Sequence, residues 1–498
     1  MTMIKRVLIA NRGEIALRVV RACRELGVAS VAVYSEADRL APHVLAADEA
    51  YLLGPPASSE SYLVVEKLIE TAKAAGCEAV HPGYGFLAER ASFAAAVEEA
   101  GLVFIGPTSD AIGAMGDKTE ARRRMRDAGV PVVPGTVEPL ASPETAAEVA
   151  DTIGYPVMLK AAAGGGGKGM RVVADGGELA AAFAAASREA AGAFGDGSIY
   201  MEKYLDGPRH IEIQVLADHH GHTVHLGERE CSIQRRHQKM IEEAPSAVLT
   251  PELREQMGAA AVAAAEAVGY RNAGTVEFLY QDGEYYFLEM NTRIQVEHPV
   301  TEMTTGIDLV QWQIRVAAGE ALPWEQSQIR LRGHAIEARI TSEDAQNNFL
   351  PSTGRIALLK VPAGPGVRWD AGITEGFEVS LFYDPMLAKL IVHGPDRDAA
   401  IRRMQRALME LRVVGVETSA PFHRRVMAEP DFRAGHIDIR YLERHPELTN
   451  GDRDEGAERL AALTAALLEE ENRRRGTVRR ADGGGRSARR DGWRWWPH

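Results

Sequence analysis

The chain has 498 residues, 45% apolar and 26% charged, a soluble globular balance long enough for two or three domains. Its formal net charge of −13 argues against general nucleic-acid binding, although a local basic patch remains compatible with it. Cys23, Cys77 and Cys231 lie far apart, with neither a disulfide framework nor a zinc spacing, and the apolar part of MIKRVLIANRGEIALRVV is too short for a signal peptide or membrane span, so a reducing, cytoplasmic setting without a membrane partner is expected.

In chain order, RVLIA at 6–10 reads as a buried strand, GEIALRVVRACRELG at 13–27 as a helix ending in glycine, and VASVAVY at 28–34 as the next strand. A helix at 61–75, a strand at 78–82, a helix near 88–100 and a strand at 103–106 continue the alternation. This repetition predicts a parallel sheet covered by helices, a Rossmann-like layer whose ligands gather at the carboxyl ends of its strands. Asn11-Arg12-Gly13-Glu14 and His81-Pro82-Gly83-Tyr84-Gly85-Phe86 sit at such ends, where turn chemistry alone also accounts for their glycine and proline. Pro131, Pro134 and Pro139 mark a linker into a second unit at 131–205, with helices at 143–153 and 177–192 and the strands PVMLKA and MRVVA. From 206 the strands lengthen (HIEIQVLAD, TVHLGERECS, TVEFLYQDGEYYFLEMN), and with the Asp282-Gly283 turn they predict a large antiparallel sheet in a unit reaching 447. An amphipathic helix is expected over 457–475, followed by an aperiodic Arg-, Gly- and Trp-rich tail that reads as disordered.

The stretch AAAGGGGKGMRVV (161–173) contains Gly164, Gly166 and Gly169 in the G-x-G-x-x-G spacing of a dinucleotide loop. That loop needs a strand before it and a helix after it, whereas MRVVA reads as a strand. The triphosphate P-loop fails as well, because Met170-Arg171 stands where Lys-Ser/Thr is required. A glycine hairpin tip can still bring backbone N–H groups against phosphate oxygens and close as a lid, with Lys160 and Lys168 neutralising charge. A merely flexible loop is the other reading, and residues 160–170 alone leave both open.

Further along, Glu277 and Glu289 lie on successive strands of a hairpin, and Asn291 shares a face with Glu289. Three hard oxygen ligands at one cleft edge suit magnesium or manganese bridging phosphates. Arg293 offers a fork for a small planar anion and Glu297 a base, with an ordinary Arg293–Glu297 ion pair as the alternative. Cys231 reads as a buried thiol without a catalytic role.

The strings IANRGEIA, HPGYGFLAE, KAAAGGGGKGMR, MEKYL, RHIEIQV, ERECSIQRRHQK, EFLY, FLEMNTRIQVEHPVTE, GHAIEARI and YDPMLAKL resemble the ATP-grasp biotin carboxylases over residues 3–447. The resemblance implies a mixed α/β and α+β chain. It would hold an N-terminal Rossmann-like domain (1–114), linker helices (115–130), a mobile glycine-rich lid (131–205), an ATP-grasp core with the C-terminal antiparallel-sheet domain (206–447), and a tail (448–498). It also implies a ligase that phosphorylates bicarbonate with ATP to carboxyphosphate, then carboxylates N1′ of biotin on a separate carrier protein. Carboxyphosphate is labile in water, which gives the lid its purpose.

Position by position, the resemblance makes Gly166 and Gly167 the phosphate-approaching lid residues and Lys118 and Lys160 the phosphate lysines. Glu202, Lys203, Tyr204 and Leu205 become the adenine-edge segment, His210, Gln234 and His237 the residues around the ribose and nucleotide, and Ile439 an apolar contact to the base. Glu277, Glu289 and Asn291 would hold Mg2+ or Mn2+. Lys239, Arg293, Gln295 and Val296 would hold bicarbonate, Glu297 would be its base, and Arg339, oriented by Asp384, would stabilise the biotin enolate. Expected partners are a biotin carboxyl carrier protein, carboxyltransferase subunits and a second copy of the chain. The expected final acceptor is acetyl-CoA, with pyruvate, propionyl-CoA and methylcrotonyl-CoA as alternatives. A carbamoyl-phosphate-type ligase and a binding module that retains the nucleotide site without turnover remain the competing readings. Lys168 stands where many relatives have arginine, and Gln238-Lys239-Met240 lacks the first methionine of a biotin-acceptor Met-Lys-Met.

Overall fold

The computed structural model describes residues 4–136, 138–161, 170–194 and 196–449, together with 463, 464, 466, 467, 469, 470 and 473 of the tail. The first sheet is parallel, in the order β3-β2-β1-β4-β5, with β1 at Arg6–Ile9, β2 at Ala29–Ser35, β3 at Glu49–Gly54, β4 at Ala79–His81 and β5 at Val103–Phe104. Helix α1 (Gly13–Leu26) buries Ile15, Val19, Val20 and Cys23, and Gly27 closes it in the left-handed region at φ 70°, its amide bonded to the carbonyl of Arg24. The Rossmann-like expectation holds. The edge strand β3 goes unread in the sequence because most of its residues are half exposed and show no alternation. The expected 61–75 helix is shorter, Val65–Ala74, because a 3-10 turn at Ser58–Glu60 captures the Leu63 amide.

The two loops at the carboxyl ends of β1 and β4 are tied together. The Asn11 Nδ2 donates to the carbonyls of Pro82 at 2.7 Å and Tyr84 at 2.8 Å. Gly83, at φ 62°, has Asn11 Nδ2 2.9 Å from where a β-carbon would stand, so this junction requires glycine on both steric and conformational grounds.

The second sheet has the order β7-β6-β8, with β6 at Val157–Ala161, β7 at Met170–Val173 and β8 at Ile199–Lys203. Lys160 pairs with Met170 in an antiparallel register, so the glycine stretch joins two strands, as its sequence context predicts. The loop itself, 162–169, lies outside the described residues, and with it the expectations for Gly164, Gly166, Gly167, Lys168 and Gly169. Helices Pro143–Ile153 and Gly176–Phe194 pack on this sheet through Ala146, Ala150, Leu179 and Phe183.

The third sheet is antiparallel and eight-stranded. It runs β13-β12-β9-β10-β11-β14 and continues into the strands Met386–Gly394 and Val367–Ala371, with β9 at Arg209–Ala217, β10 at Thr223–Arg235, β11 at Gln238–Ala244, β12 at Asn272–Gln281, β13 at Glu284–Asn291 and β14 at His334–Thr341. Asp282-Gly283 turns β12 into β13, as expected. Of the helix expected over 457–475, residues 463, 464, 466, 467, 469, 470 and 473 are helical, and the remainder of that stretch and the Arg/Trp-rich tail lie outside the described residues. Among the described residues no helix is long and apolar enough to cross a membrane.

Two features tie the sheets and helices together and give tests of the fold. A β-carbon on Gly372 would stand 2.8 Å from the Glu14 amide nitrogen and 2.9 Å from the Gly13 Cα. Both are backbone atoms at the start of α1, so Gly372→Ala is expected to lower unfolding stability by about 1–3 kcal/mol in urea titration. Glu243, fully buried on β11, accepts from His334 Nε2 at 2.7 Å and from Arg397 Nε at 2.7 Å, while Arg397 also donates to the Phe432 and Arg433 carbonyls. Burial opposes its charge, yet Arg397 and His334 outweigh that and hold the carboxyl down at about 2. A depressed carboxyl stabilises the fold above its unfolded value, and that contribution is lost as pH falls through the folded one. The wild type should therefore lose stability between about pH 4.5 and 2, and Glu243→Gln should flatten that part of its melting-temperature profile.

Candidate active site

Four strands of the large sheet place one residue each in a continuous row. Arg229 on β10 pairs with Glu212 on β9, Glu212 with Glu277 on β12, and Glu277 with Glu289 on β13. Residues directly opposite one another share a face, so the row sets a cation beside three carboxylates. A β-bulge after Glu277 lets Leu288 swing out and keeps Glu289 opposite Glu277. One step along, Thr275 pairs with both Gln214 and Asn291.

Arg229 is fully buried, and every N–H of its guanidinium has a partner. Nε donates to Glu212 at 2.5 Å, Nη1 to Gln214 and Thr301, and Nη2 to Thr275 and to Gln295 Oε1 at 2.8 Å. With Gln295 Oε1 occupied, its Nε2 turns to donate to Glu277 at 2.8 Å. Lys239 reaches from β11 into this row and donates to three carboxylates: Glu212 at 2.5 Å, Glu277 at 2.8 Å and Glu297 at 2.7 Å. The second oxygen of Glu297 accepts from Arg339 Nη2 at 2.9 Å, and Arg339 Nε donates to Glu242 at 2.6 Å.

The electrostatics follow from this packing. Burial alone would raise Glu297, but Lys239 and Arg339 hold it below the usual carboxylate range. Against the same burial, Lys239 and His210 draw Glu277 well down. Burial also opposes the charge on His210, yet Glu277 and Glu212 lift it to about 9. His210, Glu212 and Glu277 bring possible ligand atoms within 4.8 Å of one another. His210 Nε2 stands 3.1 Å from Glu277. Burial pushes Glu242 up to about 7 despite Arg339.

Arg293 enters from the turn after β13. Its Nη2 donates to Asn291 Oδ1 at 3.0 Å, and its Nε lies 2.9 Å from Glu89, which also accepts the Thr292 amide. Arg293 is thus paired with Glu89 from the HPGYGFLAE string, and the simple Arg293–Glu297 ion pair is not what forms. Val296 and Glu297 lead into helix His298–Thr305. Cys231 is buried and its thiol is pushed well up by that burial, in keeping with an inert core cysteine.

A second cluster stands on the three-stranded sheet. Glu202 on β8 pairs with Lys160 of β6 and with Arg122 of helix Lys118–Asp127. Lys118 opens that helix, and its side chain lies outside the described residues. The Lys203 side chain is spent on the Gly154 and Tyr155 carbonyls, and the Tyr204 amide on Pro156, so the strand's side chains and backbone brace the segment that ends at Leu205. Ile439 is 37% exposed and its amide bonds to the Pro208 carbonyl beside the start of β9. Gln234 donates to the Cys231 carbonyl, while His237 is exposed at φ 65° in the tight turn between β10 and β11. Arg339 pairs with Glu242 and Glu297, and Asp384 Oδ1 accepts from the Met386 amide.

Sequence reading missed Glu212, Arg229, Glu242, Arg122 and Glu89. Alternation in RHIEIQV already sets Glu212 on one face with His210 and Gln214, a signal that was available. The partners of Arg229, Glu242, Arg122 and Glu89 come from other strands, helices or loops, and no local spacing encodes them.

The chain matches the family model for the biotin carboxylase N-terminal domain over 3–112, that for the carbamoyl-phosphate synthase L chain ATP-binding domain over 117–325, and that for the biotin carboxylase C-terminal domain over 337–444. A pyruvate carboxylase subunit of Methanothermobacter thermautotrophicus is 56% identical, covering 89% of this chain and 90% of that protein. Biotin carboxylase 1 of Bacillus subtilis is 54% identical, covering 89% of this chain and 98% of that protein. Among solved structures, the biotin carboxylase domain dimer of Hydrogenobacter thermophilus 2-oxoglutarate carboxylase, with MgADP, ADP and bicarbonate, superposes with a TM-score of 0.82 at 50% identity, covering 91% of this chain and all of that one. The biotin carboxylase subunit of a pyruvate carboxylase gives a TM-score of 0.84 at 51% identity, again over 91% of this chain and all of that one. The description of the ATP-binding match names carbamoyl-phosphate synthase, and those of the matches on both sides of it name biotin carboxylase. The chain belongs to the biotin carboxylases, a family of ATP-dependent ligases.

Proposed function

We propose that this chain uses ATP and bicarbonate to carboxylate N1′ of biotin on a separate carrier protein, the first half-reaction of a biotin-dependent carboxylase. The observation that carries this reading is the position of Glu297, one oxygen 2.7 Å from Lys239 and the other 2.9 Å from Arg339. A single carboxylate thus joins the cation assigned to bicarbonate and the cation assigned to biotin.

In this reading bicarbonate takes the place of protein carboxylates at Lys239, and Arg293, the Gln295 side chain and the Val296 backbone complete its site. Glu297, released from Lys239, loses its strongest stabilising charge and becomes a better base for the bicarbonate proton. The bicarbonate oxygen then attacks the γ-phosphorus of ATP, giving carboxyphosphate and ADP. Carboxyphosphate breaks its C–O bond to yield carbon dioxide and phosphate. The phosphate takes the N1′ proton, Arg339 balances the negative charge that develops on the ureido oxygen, and N1′ bonds to carbon dioxide. Lys160, Glu202 to Leu205, His210, Gln234, His237 and Ile439 serve the nucleotide, with Lys118, Gly166 and Gly167 assigned to its phosphates by resemblance.

Glu277, Glu289 and Asn291 fit a divalent cation. Their donors are all hard oxygens, and strand register places Glu277 opposite Glu289. Bound there, Mg2+ or Mn2+ would neutralise phosphate charge.

The half-reaction is common to carboxylases with different acceptors. Similarity to the Methanothermobacter pyruvate carboxylase protein supports pyruvate over the acetyl-CoA read from the sequence. Carboxyl transfer measured with each candidate carboxyltransferase partner decides between them. A homodimer is proposed from the dimeric neighbour, and a monomer by light scattering at micromolar concentration would contradict it.

Incorporation of radiolabel from bicarbonate into free biotin tests the central reading. The wild type should form carboxybiotin, Glu297→Gln should slow it by about 10²–10⁴-fold and Arg339→Ala by about 10²–10³-fold. Bicarbonate-dependent ATP cleavage that ignores biotin but gives carbamate with ammonia would replace this reading with the carbamoyl-phosphate-type ligase.

A further inference from the structure

Lys389 lies on the strand Met386–Gly394, directly opposite Arg339 of β14. It is wholly buried, between the buried apolar residues Ala388 and Leu390. Its Nζ donates to the Val296 carbonyl at 2.8 Å, stands 3.2 Å from Glu14 Oε1, and lies 5.9 Å from the centre of the Tyr84 ring. The Tyr84 hydroxyl donates to that same Glu14 oxygen. Glu14 opens α1 and Tyr84 belongs to the loop after β4, so both come from the N-terminal sheet. A buried ammonium is costly, and this one is compensated on two sides.

The three residues 295–297 are each gripped by different groups. Gln295 is held through its side chain by Arg229 and Glu277, and Glu297 through its carboxylate by Lys239 and Arg339. Val296 is held through its carbonyl by Lys389. The peptide unit is planar, so fixing the Val296 carbonyl oxygen also fixes the amide nitrogen of Glu297 and the start of its Cα–Cβ bond.

On the reading that residues 293–297 receive bicarbonate, we propose that Lys389 is a positioning residue for this reaction. It sets the 296–297 peptide plane, and with it the placement of the Glu297 carboxylate. Glu14 and Tyr84 hold Lys389 in turn, so the seating of the N-terminal sheet on the core is registered at the bicarbonate turn.

The test compares Lys389→Met and Lys389→Arg with the wild type by steady-state kinetics and by hydrogen–deuterium exchange of peptides spanning 290–300. Lys389→Met is expected to raise the KM for bicarbonate at least tenfold while the KM for ATP stays within twofold. It should speed exchange in 290–300 but not in β9, and Lys389→Arg should recover part of both effects. An unchanged bicarbonate KM with unchanged exchange, or a parallel rise in both KM values with exchange raised throughout the sheet, overturns the proposal. Should Lys389→Met not fold, Tyr84→Phe leaves the ammonium in place and removes one of the groups holding Glu14. Faster exchange at 290–300 is expected there, and no change overturns the proposal. Should the wild type show no bicarbonate-dependent turnover, the functional reading fails, and the exchange comparison still decides the positioning role.

Discussion

The site depends on one ammonium group. Lys239 donates to Glu212, Glu277 and Glu297, three carboxylates that would repel one another on a buried sheet face without it. Strand register brings Glu212 and Glu277 together, and the turn after β13 delivers Glu297. Arg229 on one side and Arg339 on the other complete the compensation. Removing Lys239 would leave like charges facing each other away from water, where truncating one partner of a buried pair costs about 3–5 kcal/mol.

This arrangement has a consequence for anionic substrates. Three of the cations proposed for bicarbonate and phosphate are engaged: Lys239 by three carboxylates, Arg293 by Glu89, and Lys160 by Glu202. An incoming anion therefore exchanges one ion pair for another instead of filling an uncompensated positive hole. On the proposed function, the released carboxylate is more basic than the paired one. On the proposed function that release serves Glu297, because a carboxylate held low by Lys239 is a weak base while paired and would be a stronger one once Lys239 turned to the substrate.

Much of this was legible from local sequence, and the remainder was not for identifiable reasons. The parallel sheet, the strand–glycine–strand hairpin at 161–173 and the Asp282-Gly283 turn follow from periodicity and turn chemistry, which act over a few residues. The edge strand Glu49–Gly54 escaped because a half-exposed strand carries no clean alternation. The cross-strand pairing of Glu277 with Glu289 is legible because a single hairpin holds both. Arg229 escaped because its partners come from other strands and from a helix, Thr301 among them. Arg339 meets Glu242 from β11 and Glu297 from the turn after β13, so neither partner is encoded near it in the sequence.

The central claim is that bicarbonate itself is phosphorylated at the Lys239–Glu297 site. Oxygen-18 transfer from labelled bicarbonate to released phosphate tests it most directly, run with ATP, magnesium and biotin in unlabelled water. Attack by a bicarbonate oxygen, followed by cleavage on the carbon side of carboxyphosphate, leaves one labelled oxygen in each phosphate. Phosphate that carries no label from bicarbonate, and takes its new oxygen from water instead, would contradict the account.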